Sequence, residues 1–138
     1  MRTLAIDYGD SRVGLAITDP LGITAQGLKT IFHNGQDKII LKELDNVLNE
    51  YEIDTIVIGM PISMSGNKNA RVDVTEKFIH KLKCKYNKIK IEVVDERLTT
   101  VQAHKTMNDL EINKKKKRQI VDTISAVYIL ETYINKSH

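Results

Sequence analysis

Apolar and polar positions alternate from the start of the chain. Leu4 and Ile6 fall on one side of an extended segment, Ala5 and Asp7 on the other. Leu4 to Gly9 reads as a strand that ends on a carboxylate, and Val13 to Thr18 as a second strand joined to it by a short turn. Asp19-Pro20-Leu21-Gly22 is a turn signature. Ile23 to Ile31 predicts a third, weaker strand, with Gln26, Gly27 and Lys29 inside it, closed by Asn34-Gly35. From Asp37 to Tyr51 the period becomes helical, with Ile40, Leu44, Val47, Leu48 and Tyr51 on one face. Thr55 to Met60 is continuously apolar, as a strand buried on both faces would be, and Pro61 ends it.

After a loop at Ser63 to Asn67, a helix is expected from about Asn69 to Lys83, with Val74, Phe78 and Leu82 at four-residue steps. Lys90 to Val94 predicts the next strand, with Ile89, Ile91 and Val93 on one face, and it runs into Asp95-Glu96-Arg97. Thr99 or Thr100 can cap a helix reaching about Met107. Asn108 to Asn113 reads as a loop, and a last helix as about Gln119 to Ile134. Three hairpin-linked strands followed by αβαβ units imply an α/β fold: a five-stranded mixed sheet with helices on its faces. The 138 residues are most simply one domain, 1–138, with a single sizeable core.

Composition adds bounds. With 41% apolar and 28% charged residues, this is the profile of an ordinary soluble globular domain. The single cysteine, Cys84, excludes an intramolecular disulfide. It sits between two lysines with no candidate base adjacent, and reads as a plain surface or semi-buried thiol. No apolar run approaches the roughly 20 residues that span a membrane. The chain leads straight into its first strand without a signal-peptide pattern, so the expectation is a cytoplasmic protein. His33, His80, His104 and His138 show no metal-ligand spacing and read as surface histidines.

The net charge of +3 matters less than its distribution. Lys114, Lys115, Lys116, Lys117 and Arg118 form an unbroken basic run, and Lys81, Lys83, Lys85, Lys88 and Lys90 a looser cluster. Such runs are commonly solvated surface. The first one directly precedes the helix carrying Asp122, which favours its reading as an electrostatic footprint for nucleic acid.

Three acidic places stand out: Asp7 at the end of the first strand, Asp95-Glu96 at the end of the last, and Asp122 early in the last helix. Asp122, Ala126, Ile129 and Tyr133 form a stripe expected to pack on the sheet. Each acid has a structural explanation of its own. Asp7 suits an Asx turn, Asp95 or Glu96 an ion pair with Arg97, and Asp122 the positive end of its helix. Together they suggest more, because converging carboxylates repel unless a cation or proton neutralises them. Hard divalent cations suit such oxygen donors, and a pair of them can drive phosphodiester hydrolysis. Alternation does not by itself decide between Asp95, on the face of Ile91 and Val93, and Glu96, on the face of Glu92 and Val94.

Four blocks then fall into a familiar order: Ile6-Asp7-Tyr8-Gly9 with Arg12, Val13, Gly14 and Ala16; Gly59-Met60-Pro61 with Gly66, Arg71 and Phe78; Asp95-Glu96-Arg97-Leu98-Thr99-Thr100; and Asp122, Ser125-Ala126 and Ile129-Leu130. The sequence resembles the YqgF/RuvX family, the Holliday-junction-resolvase-like branch of the ribonuclease H-like superfamily, whose members are described as pre-16S rRNA nucleases. The resemblance covers nearly the whole chain, and the Asp-Glu-Arg-Leu-Thr-Thr block is its most specific part. It implies a ribonuclease H-like fold and a nuclease dependent on Mg²⁺ or Mn²⁺, with Asp7, Glu96 and Asp122 as catalytic, metal-binding acids. Related resolvases place another acid after the fourth strand, where this chain has Gly59-Met60-Pro61, so the late strand must supply that ligand.

Arg12, Arg71 and Arg97 are candidates for phosphate contact, each equally readable as a structural ion-pair arginine. Stacking of a base on a tyrosine such as Tyr8 is a further option. The implied partners are structured RNA, branched DNA as the alternative, and ribosomal precursor particles, with no membrane and either a monomer or a homodimer. Two other classes remain: a phosphotransferase sharing the Asp7-Tyr8-Gly9 hairpin, disfavoured because such proteins need two lobes, and a non-catalytic RNA-binding protein.

Overall fold

The computed structural model describes residues 1–60, 70–95 and 114–137. Strands β1 (Arg2–Tyr8), β2 (Arg12–Thr18) and β3 (Ala25–Phe32) form an antiparallel meander. Helix α1 (Asp37–Glu50) leads to β4 (Ile53–Met60), α2 (Ala70–Lys85) to β5 (Lys90–Asp95), and helix α3 (Lys114–Ser137) comes last. The strand order is β3-β2-β1-β4-β5, with β4 parallel to both β1 and β5. The five-stranded mixed sheet expected from the pattern is therefore present. The helix expected from Thr99 or Thr100 to about Met107, the loop Asn108 to Asn113 after it and the loop Ser63 to Asn67 lie outside the described residues.

The sheet's two faces are built from different residues. On one, Leu4, Ile6, Tyr8, Val13, Leu15, Ile17, Ile56 and Ile58 pack under α1 (Ile40, Leu44, Val47) and α2 (Val72, Phe78, Ile79, Leu82). On the other, Ala5, Ala16, Val57 and Val94 meet Ala126, Ile129 and Leu130 of α3. Small residues on this second face let α3 lie close. Gly27 of β3 is the extreme case, since a Cβ there would run into Thr123 Cγ2.

Several details differ from the sequence pattern. Strand β3 starts at Ala25 because the Asp19 carboxylate accepts the backbone N–H groups of Ile23 (2.8 Å) and Thr24 (3.3 Å) and holds them in the turn. Val74 lies off the buried stripe of α2, whose inward positions are Val72, Thr75, Phe78, Ile79 and Leu82. Val93 is largely exposed while its neighbour Val94 is buried, because only Val94 faces α3. The basic run Lys114–Arg118 does not precede the last helix but forms its opening turns. Lysine is a good helix former, and that preference prevails over the unfavourable placement of cations at a helix start.

His33 is not a surface residue: it is 1% exposed. The chain turns back after β3, and its ring stacks 6.0 Å from Tyr8. Tyr8 in turn stacks on Phe78 at 4.3 Å. The Tyr8 hydroxyl donates to Asp37 Oδ1 (2.7 Å). With both faces and its hydroxyl engaged inside the core, Tyr8 offers no platform for a base, which corrects that option.

Candidate active site

Asp7 occupies the last turn of pleat on the central strand. It shares a face with Ala5, opposite Gly14 and Ala16 of β2, and this is the face that α3 covers. Because β1, β4 and β5 are parallel, their C-terminal ends lie along one edge of the sheet. Open α/β sheets bind ligands at that edge. Asp7 is partly buried there.

The turn beyond Asp7 is held from two directions. Gly9 N–H donates to the Arg12 carbonyl (2.9 Å), and a Cβ on Gly9 would collide with that same oxygen, so the turn requires glycine. From the other side His33 clamps it. Gly35 N–H donates to His33 Nδ1 (3.0 Å), so Nδ1 is an acceptor and the ring proton is on Nε2, which donates to the Gly9 carbonyl (2.9 Å). His33 N–H also donates to the Ser11 carbonyl (3.0 Å). The sequence signal for this clamp was Asn34-Gly35, whose backbone adopts positive φ (50° and 80°) and folds the chain back onto β1.

Of the second acidic place, Asp95 is described and its face follows from its pairing. Asp95 pairs with Met60, and Met60 is buried on the α1 and α2 side. Val94 pairs with Gly59 and packs against α3. Asp95 therefore sits on the face opposite Asp7. Met60 ends β4 inside the apolar core on the face opposite Asp7, and Gly59, which shares Asp7's face, carries no side chain. Glu96 and Arg97 lie outside the described residues.

The helix carrying Asp122 is fixed over the same end of the sheet. Thr30 of β3 pairs with Gly14, which pairs with Asp7. The Thr30 hydroxyl lies 3.3 Å from that of Thr123, the residue after Asp122. One turn further on, Ala126 is fully buried on Ala5 and Ala16. The helix backbone at Asp122, Arg71 and Lys114–Arg118 is described, but their side chains are not. Among the described residues no three His, Cys, Asp or Glu side chains converge. The set read from the sequence needs Glu96 and Asp122 beside Asp7. All three are hard oxygen donors, matched to a divalent cation rather than to a soft metal.

Arg12 opens β2 on Asp7's face, at the same sheet edge, as the pair partner of Phe32. The looser lysine cluster lies elsewhere and is partly neutralised. Lys81 bonds Asp37 (2.9 Å) and Lys85 bonds Asp45 (2.8 Å), tying α2 to α1 on the far side of the sheet. Lys90 pairs with Glu92 (3.0 Å). Cys84 is exposed, and its thiol lies 3.6 Å from His80 Nε2, one helical turn away, a neighbour that adjacency in sequence did not reveal.

Comparison with known proteins agrees with this geometry. The fowlpox virus Holliday junction resolvase superposes with a TM-score of 0.59 at 14% identity, covering 100% of both chains. Thermus thermophilus RuvC superposes with a TM-score of 0.56 at 10% identity, covering 99% of this chain and 96% of that one. These two establish the ribonuclease H-like fold. A protein of Ruminiclostridium cellulolyticum named "Putative pre-16S rRNA nuclease" is 51% identical over 99% of this chain and 95% of its own. One of Acetivibrio thermocellus with the same name is 46% identical over 98% and 96%. The family model RuvX, described as Holliday junction resolvase, matches residues 1–136, and the chain belongs to that family.

Proposed function

We propose that this chain is a divalent-metal-dependent nuclease that hydrolyses phosphodiester bonds in the precursor of 16S rRNA, with Asp7, Glu96 and Asp122 as the acids that hold the cation. The observation that carries this is the position of Asp7. It is the penultimate residue of the central strand, at the C-terminal edge of the sheet, under the helix that bears Asp122. Strand alternation supports Glu96 over Asp95 as the third acid, since Val94 shares Asp7's face and Asp95 does not. Mg²⁺ or Mn²⁺ suits an all-carboxylate set, and such a cation lowers the pKa of bound water and neutralises charge on the leaving oxygen.

Arg12, Arg71, Arg97 and the basic start of α3, Lys114 to Arg118, are assigned to the phosphate backbone. Contacts of that kind give affinity without sequence selectivity. The two relatives named as pre-16S rRNA nucleases favour an RNA substrate, met in ribosomal precursor particles in the cytoplasm by a single 138-residue domain. Among the described residues no helix is long and apolar enough to cross a membrane. The family description favours a second substrate, the four-way DNA junction, for which a homodimer would suit the two-fold symmetry.

Purified protein incubated in Mn²⁺ with structured precursor RNA and with a four-way DNA junction separates the two. Cleavage of RNA, lost in Asp7→Asn, is the expected result. Cleavage of the junction alone would transfer the assignment to DNA. Cutting of neither, or cutting that persists in Asp7→Asn, would overturn the nuclease reading.

A further inference from the structure

Phe32 is a large apolar side chain left about half exposed, at 52%, at the end of a strand where both neighbours are buried. Its direction is well determined. Ile31 and His33 point into the core on the α1 and α2 side. Thr30, two residues earlier, reaches Thr123 of α3 on the opposite side. Phe32 therefore stands on the α3 side, the side of Asp7, and at the same edge of the sheet. Its cross-strand partner is Arg12, on that same face. From strand spacing and rise, its Cα lies about 12 Å from that of Asp7.

We propose that Phe32 is a stacking platform for a nucleobase in a single-stranded segment of the RNA substrate, flanked by Arg12 for a phosphate of the same strand. This rests on the nuclease reading above and adds a feature that reading does not require. An aromatic face beside a guanidinium is the usual means of holding unpaired bases without selecting a sequence. The placement also has a chemical use. A base anchored on Phe32 fixes one end of a short strand whose next phosphates pass the Asp7 edge. The site would then prefer single-stranded over fully paired RNA, because a paired base has no free face to offer.

The chain contains no tryptophan, so Phe32→Trp introduces a unique fluorophore at the proposed contact. It is titrated, at physiological ionic strength and without divalent metal to prevent cleavage, with a single-stranded oligoribonucleotide. Binding by wild type, Phe32→Ala and Phe32→Tyr is followed in parallel by the anisotropy of labelled RNA. The expected result is saturable quenching of the indole, a roughly ten- to hundredfold loss of affinity in Phe32→Ala, and near wild-type affinity in Phe32→Tyr. Circular dichroism establishes that each variant is folded. Unchanged binding by Phe32→Ala with no quenching overturns the stacking role while leaving the nuclease reading intact. Failure of folded wild type to bind any RNA overturns both, and loss of cleavage in Asp7→Asn identifies the nuclease reading independently.

Discussion

The hydroxyls of Thr30 and Thr123 lie 3.3 Å apart, and this contact ties the helix bearing Asp122 to the row of residues that ends on Asp7. Directly beneath it, Gly27 leaves the space that Thr123 Cγ2 fills. Gly27→Ala is expected to push the start of α3 away from the sheet and to cost about 1–3 kcal/mol, as overpacking does. Chemical denaturation measures the loss. Adding Thr123→Ser, which removes that methyl but keeps the hydroxyl, should restore most of it, so the pair will be strongly non-additive. Cleavage should fall more than stability in the single variant, because the displaced element carries a proposed ligand.

Asp7→Asn should reduce cleavage by a factor on the order of 10²–10³, in line with removal of a directly engaged charged group. Its fold should persist, as circular dichroism of the metal-free protein would show. Mn²⁺ should raise the melting temperature of wild type and leave that of Asp7→Asn unchanged, because only a bound ligand stabilises the native state. An equal Mn²⁺ shift in both proteins would place the cation elsewhere.

His33→Phe keeps a ring between Tyr8 and the turn but removes both ring hydrogen bonds. The Gly35 N–H then loses its acceptor, at about 1–3 kcal/mol, and the Gly9 carbonyl its donor. A reduced unfolding midpoint is the expected outcome, accompanied by a drop in kcat, since the turn next to Asp7 is released. A midpoint equal to that of wild type would mean that the clamp contributes nothing.

Asp37 contributes to the pH dependence of stability. Burial pushes its carboxyl upward, but hydrogen bonds from Lys81 and Tyr8 outweigh this and hold it below the ordinary value of 3.8. A carboxylate depressed in the folded state contributes stability that is fully present above that ordinary value and is lost as pH falls through the lower folded value. Asp37→Asn should therefore cost about 1 kcal/mol at pH 7, and the gap between variant and wild type should narrow below the ordinary value. Urea midpoints at pH 7 and pH 3 measure it. A gap that is constant with pH would assign the effect to packing.

Where the sequence pattern succeeded, the determinants were local. Alternation in Leu4 to Asp7, the helical stripe of Ile40, Leu44 and Val47, and the apolar run ending at Met60 each report burial over a few residues. Even the face of Asp7 was readable, because Ala5 and Ala16 are small where Leu4 and Ile6 are large. His33 was not readable, because its burial depends on Gly9, far away in sequence, and on a turn that follows it. The sequence leaves Tyr8 open as a stacking residue for the same reason: Phe78 and Asp37, which engage it, arrive from two different helices. Alternation within β5 leaves Asp95 and Glu96 open and only the resemblance favours Glu96; the register with β4 fixes the face of Val94 and Asp95, while Glu96 lies outside the described residues.

The thin layer of Ala5, Ala16, Val57 and Val94 under α3 has a consequence for the growing polypeptide. Every strand precedes α3 in the sequence, so during synthesis the whole sheet can form while this face still meets water. Because Asp122 is on α3, the proposed set of Asp7, Glu96 and Asp122 stays incomplete until that helix docks. On the proposed function, a nascent chain folded only in its α1 and α2 half would lack one of the three proposed ligands and would not cleave. Docking of a single late helix, through small side chains that demand close approach, would be the step that completes the proposed site.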